Sequence, residues 1–147
     1  MKGGLTTNQR RAVCIMANAL RKEGLTLSAA FRKAWRRIKN TMTIRAKGTT
    51  FENRQERLAF LKKFRREDLT VTLAHDPQCA QDPGAVAITI HIAPIRKRTV
   101  IGYIPRGLAG ELLKLMEGGI QLKASFLEII GGYSYKENLG LLLNIAV

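Results

Sequence analysis

Cysteine, proline, acidic residues and long apolar runs are all scarce in this chain, and each shortage removes a class of protein. Its two cysteines, Cys14 and Cys79, lie far apart and belong to no Cys-x-x-Cys pair. That excludes a disulfide framework and the common zinc ribbons, and leaves reduced thiols with no assigned chemistry. Only four prolines and no low-complexity tract argue against an extended or disordered chain. No stretch approaches the eighteen or so uninterrupted apolar residues of a membrane span, and "MKGGLTTNQRRAVCIM" lacks the apolar run of a secretory leader. No membrane partner is expected, and the expected residence is cytoplasmic.

Catalytic signatures are also missing. The sequence contains no P-loop, no Gly-x-Ser-x-Gly and no His-Glu-x-x-His, and neither His75 nor His91 has a spaced histidine partner. The cluster His75, Asp76, Cys79 and Asp82 fits no usual zinc spacing, so no metal is expected there. Asp68, Asp76 and Asp82 lack the following acidic–Lys pattern of a magnesium-dependent nuclease. These absences predict a non-enzyme without a cofactor.

What is abundant is positive charge, and it is concentrated. The 147 residues carry a formal net charge of +14, and residues 1–67 alone hold 18 Lys/Arg against 4 Glu. Residues 68–147 are balanced, with 7 Lys/Arg and 7 Asp/Glu. Segregated cations repel one another, and a polyanion relieves that repulsion by releasing its own counterions, so the asymmetry points to nucleic acid. A solvated basic face is the plainer alternative.

The apolar periodicity divides the chain into helices followed by strands. Residues 6–23 place Val13, Met16, Ala17 and Leu20 on one helical stripe, with Thr6, Thr7 and Asn8 as capping candidates and Gly24 at the exit. In "LTLSAAFRKAWRRIKN", Thr26 suits an N-cap and Leu27, Phe31, Ala34, Trp35 and Ile38 fall on one face. That pattern predicts Trp35 as a core residue. Arg32, Lys33, Arg36, Arg37 and Lys39 occupy the opposite arc with no acid to pair at i, i+4, which is the surface a phosphate backbone would meet.

"TMTIRAKG" (41–48) alternates as a strand, and Thr49 with Glu52 has capping-box spacing for a helix from about 50 to 65. Leu58, Leu61 and Phe64 would form its buried stripe, with Arg57, Lys62, Lys63, Arg65 and Arg66 exposed and Arg54 a further basic candidate. A helix C-terminus favours cations through its dipole, which explains where four of these sit but not how many there are. From Leu69 the period becomes two: "LTVTLA", "AVAITIHIA" and "TVIGYI" read as strands, the last two joined by the turn "PIRKR". Pro105 then begins a helix with Leu108, Leu112, Leu115 and Met116 inward, and "IQLKASFLEII" and "LGLLLNIAV" close the chain as strands. The expected class is α+β.

Two segments, "DPQCAQDPGAVAI" (76–88) and "IGYIPRGLAGEL" (101–112), in this order and spacing, resemble the HIRAN domain. The similarity covers roughly residues 43–147 and extends to stand-alone bacterial and phage-associated members; "TTFENRQERLAFL" also resembles the segment after the first strand in bacterial members. It implies a small OB/SH3-like β-barrel of about five or six strands with two associated helices, over residues 41–147. Residues 1–40 would then be a basic N-terminal helical extension. It also implies a groove for single-stranded DNA, in which Asp82 faces the terminal nucleotide, Arg106 holds the basic position after "GYIP", and Tyr103 lies between them. Members with the end-binding pocket show Asn-Pro-Tyr-Asp where this chain has Cys79, Ala80, Gln81 and Asp82, so the stacking tyrosine and the bonding asparagine are absent.

Asp76, Pro77, Asp82, Pro83 and Gly84 are also sufficient simply as turn formers, and Gly102 permits a close backbone approach. Phe51, Tyr103, Tyr133 and Tyr135 are the remaining stacking candidates of the barrel segment, each worth on the order of 1–3 kcal/mol if a base stacks on it. The expected function is a nucleic-acid-binding module, DNA favoured over RNA. The second expectation is a phage or mobile-element protein docking on a protein or ribonucleoprotein complex, such as an inhibitor or accessory subunit of a nuclease-based defence system.

Overall fold

Thr6 and Gln9 cap one another at the start of the fold: Gln9 donates its backbone N–H to Thr6 Oγ1 at 3.1 Å, and the Thr6 N–H donates to Gln9 Oε1 at 2.9 Å. This reciprocal cap satisfies two orphan donors and opens helix α1 (Thr7–Lys22). Gly24, at φ +109°, turns the chain into α2 (Leu27–Lys39), where Thr26 Oγ1 accepts from the Ala29 N–H at 3.2 Å. The computed structural model describes residues 5–50, 53–79, 82–132 and 138–147.

The buried edge of α2 corrects the sequence expectation. Ala30, Ala34 and Ile38 are the buried residues, one turn apart, whereas Leu27, Phe31 and Trp35 lie at the surface with 52%, 39% and 47% exposure. The reason is steric. Alanines let α2 come close to α1, and a close approach leaves no room on that line for the large residues beside it. Trp35 is therefore not a core residue.

After strand β1 (Met42–Arg45), helix α3 spans Arg54–Leu61 and not the longer 50–65. The chain leaves the helix after Leu61, which keeps Phe64 against the core and separates Lys62, Lys63, Arg65 and Arg66 from what would be a repulsive run of i, i+3 and i, i+4 cations. The expected Thr49 cap does not form: Thr49 Oγ1 donates to the Leu139 carbonyl at 3.4 Å, and Asn53 stands at the N-cap without a side-chain bond. Glu52 lies outside the described residues.

A 3-10 turn at Arg66–Asp68 leads into β2 (Leu69–Asp76), β3 (Ala85–Ile92), β4 (Lys97–Tyr103), α4 (Arg106–Glu117), β5 (Lys123–Ile130) and β6 (Gly140–Ala146). Strand pairing is antiparallel in two three-stranded sheets, ordered β1-β6-β5 and β2-β3-β4. Among the described residues this is an α+β fold of four helices and two sheets, not the closed barrel expected. The ladder stops because β1 has only four residues. Beyond it, Lys47 and Tyr103 exchange a single pair of 2.8 Å hydrogen bonds, and Gly48 at φ +74° then turns the chain away towards α3. On the far side β2 lies beside β5 without pairing to it.

That single bridge depends on Gly102. A Cβ at this position would stand 2.6 Å from the Lys47 carbonyl oxygen and 3.3 Å from Ala46 Cβ, so backbone would have to move. Gly102→Ala is expected to cost about 1–3 kcal/mol, measured by denaturant unfolding. Wild-type stability in that variant would show that the two sheets tolerate separation at this corner.

The core is continuous from the helices to both sheets, joining Met16 and Leu20 of α1, Leu112 and Leu115 of α4, Ile88 and Ile90 of β3, and Leu141 and Leu143 of β6. Polar ties reinforce the junction. Arg11 Nη2 donates to the Gly118 carbonyl at 2.9 Å, and Arg37 of α2 forms an ion pair with Glu111 of α4.

Candidate nucleic-acid interface

The loop after β2, the end of β4 and the starts of α3 and α4 bring four of the expected binding residues together, Arg54, Asp82, Tyr103 and Arg106. Asp82 Oδ1 accepts the Gly84 N–H at 2.9 Å and Asp76 Oδ1 accepts the Gln78 N–H at 3.3 Å, so both aspartates close their own turns. His75 Nε2 lies 2.8 Å from the Pro83 carbonyl oxygen and staples the two arms of the loop. Each side chain thereby has a structural task. Asp82 also pairs with Arg106 across 3.6 Å.

Tyr103 donates its hydroxyl to Asp76 Oδ2 at 3.1 Å. Burial, reinforced by this hydrogen bond to a carboxylate, pushes the phenol above its ordinary value, so the hydroxyl remains a donor at neutral pH. The Arg54 guanidinium lies over the Tyr103 ring, 5.1 Å from its centroid, and donates from Nη1 to the Gly48 carbonyl at 2.7 Å. Arg54 is only 7% exposed, and its buried Nε has no hydrogen-bond partner among the described residues.

Charge decides what this corner can hold. Arg54 and Arg106 are matched by Asp76 and Asp82, so the cluster is balanced. A phosphate placed beside two carboxylates gains little, whereas a hydroxyl or base edge can still donate to them. The neighbours Ala80 and Gln81, and the stacking candidates Phe51, Tyr133 and Tyr135, lie outside the described residues.

The α2 surface has the opposite character. Arg32, Arg36 and Lys39 are exposed, Lys33 is half-buried, and none of the four forms an ion pair among the described residues. Arg37 differs from its neighbours: its partner Glu111 has a side chain only 6% exposed, and burial holds the Arg37 guanidinium below its ordinary value. The fold uses Arg37 internally.

A third group follows α3. Lys62, Lys63 and Arg65 are exposed, with Lys63 Nζ 5.4 Å from the centroid of Phe60 and Phe60 edge-on to Phe64 at 5.2 Å. Two of the basic residues in this region have structural tasks. Arg66 Nη2 donates to the Leu127 carbonyl at 2.8 Å, and Arg57, expected to be exposed, is half-buried and donates from Nη1 to Val100 at 2.8 Å.

Sequence reasoning missed the exposed aromatics Phe31, Trp35 and Phe60. The signal was present in α2. Its apolar residues cover a broader arc than one helix contact buries, and Ala30 with Ala34 at i, i+4 marks the close line.

No family model matches the chain, and no curated protein matches it. A crystal structure of a protein from Lactobacillus plantarum is similar at 19% identity and a TM-score of 0.46, covering 72% of this chain and 95% of its own.

Proposed function

We propose that this chain is a non-catalytic nucleic-acid-binding module, with DNA favoured over RNA, whose main contact is the cationic face of α2 beside a HIRAN-like corner. The observation that carries the reading is the trio Arg32, Arg36 and Lys39, exposed on one helix and unpaired by acids among the described residues. Solvated cations of this kind cost little to display and gain from phosphate by counterion release. Lys62, Lys63 and Arg65 would be a second exposed cationic patch, and Arg37, Arg54 and Arg66 would support the fold.

The balanced corner would orient a strand end without supplying affinity. Tyr103 bonds Asp76 and Arg106 pairs with Asp82 there, which is compatible with such a role, and the fold would be an opened relative of an OB/SH3-like barrel. Asp82 would then accept a hydrogen bond from a sugar or base.

Fluorescence anisotropy with labelled single-stranded DNA, RNA and duplex DNA tests the proposal. Micromolar or tighter binding in dilute salt is expected, with less than a twofold change in Asp82→Ala for strands lacking a free 3′ end. If none of the three ligands binds below about 100 μM, weaker than ordinary non-specific binding, the proposal fails.

A further inference from the structure

We infer that the α2 surface binds unpaired bases, with Trp35 and Phe31 as stacking platforms and Arg32, Arg36 and Lys39 holding the adjoining phosphates, so that its ligand is single-stranded nucleic acid and not duplex. This rests on the nucleic-acid reading above and adds the strand state and the residues that select it.

The placement of the aromatics is what discriminates. Phe31 and Trp35 are 39% and 47% exposed on the same helix as the three exposed cations. Lys39 lies one turn beyond Trp35 and Arg32 nearly one turn before it, so the indole is flanked by positive charge. An exposed indole among cations has two separate uses for a nucleic acid: its ring takes a base face, and the flanking charges take phosphates. Duplex DNA offers the phosphates but keeps its base faces stacked and inaccessible.

The spacing agrees with this choice. Four helical residues rise about 6 Å, nearly twice the 3.4 Å step of a stacked strand. Two bases seated on Phe31 and Trp35 would therefore be drawn apart from one another, as an extended single strand allows and a duplex does not. The same exposed stripe could in principle cover itself with a second copy of the chain. Charge argues against that occupant, since two-fold pairing of this face would bring Arg32, Arg36 and Lys39 against the same group of cations on the second copy.

Trp35 is the only tryptophan in the chain, so intrinsic fluorescence reports this one site. Titration with oligo-dT is expected to quench it saturably, while a duplex of the same length leaves it unchanged. Trp35→Ala is expected to lose roughly 5- to 150-fold in oligo-dT affinity and to leave the affinity for an abasic strand of equal length unaltered. Trp35→Phe should recover part of the loss.

Oligo-dT binding without quenching, or with Trp35→Ala at wild-type affinity, overturns this inference and leaves the nucleic-acid reading in place. Absence of binding to every strand overturns both. Sedimentation showing a dimer that Trp35→Ala dissolves would assign the face to self-association and overturn the inference as well.

Discussion

Arg37→Ala is expected to destabilise the protein by about 3 kcal/mol, the lower end of the cost of breaking a buried ion pair, because the Arg37 side chain is 29% exposed while that of Glu111 is buried. The loss arises mainly from what remains. Glu111 has a side chain 6% exposed, and without the guanidinium its carboxylate would stay buried with no compensating charge. For a chain of this length the corresponding fall in Tm is about 6–12 °C. Arg37→Met combined with Glu111→Leu should recover most of it, because an apolar pair of similar volume avoids the desolvation cost altogether.

Exposed neighbours on the same helix should behave differently: Arg32→Ala and Arg36→Ala should each stay within about 0.5 kcal/mol of wild type. A denaturant series on the three single variants separates them. Equal, small effects at all three positions would mean that Arg37 is a surface cation like the rest and that the α2–α4 junction does not depend on it.

The second large effect concerns affinity. Replacing Arg32, Arg36 and Lys39 together by alanine is expected to weaken single-strand binding about a hundredfold at 0.1 M salt. Each phosphate contact on a single strand releases about 0.7 of a counterion, so three contacts change the constant by about two powers of ten at that concentration. Stability should hold or rise slightly, since the variant relieves repulsion among like charges. The control is the pair Arg54→Met and Arg66→Ala, whose cations donate to the Gly48 and Leu127 carbonyls. Affinity losses in these comparable to the triple variant would move the binding surface away from α2.

The features legible in the sequence were those decided locally. Thr6, one of three cap candidates, Thr26 and Pro105 mark helix starts through local backbone needs, although the reciprocal partner Gln9 was not read from the sequence. The alternation in 69–74 and 85–93 pointed to strands, and β2 follows it with Leu69 and Val71 buried and the alternating threonines exposed, whereas β3 is buried on both faces from Ala85 to Ile88. Gly102 was likewise readable as a close approach, and the Lys47 carbonyl now occupies that space.

What was not legible depended on distance partners. The apolar stripe holding Phe31 and Trp35 suggested core, yet the buried line of α2 runs along Ala30, Ala34 and Ile38 and leaves the aromatics outside. Arg54 read as one more surface cation because nothing nearby in sequence announces Tyr103 and the Gly48 carbonyl converging on it. Barrel closure was equally remote: it turns on whether β1 continues past Lys47, and Gly48 decides that it does not. Charge alone did not divide the basic residues of the helices: Arg36 is exposed, while Arg37 pairs with Glu111 and Arg54 is buried, and only tertiary packing separates them.

The central claim is that α2 meets phosphate through solvated, unpaired cations, and the salt dependence of oligo-dT binding addresses it most directly. Anisotropy titrations between 50 and 400 mM NaCl, for wild type and the Arg32/Arg36/Lys39 triple-alanine variant, are expected to give straight lines of log affinity against log salt. The variant's slope should be shallower by about two, the share of three single-strand contacts. Parallel lines, or a wild-type affinity that does not change with salt, would contradict the account.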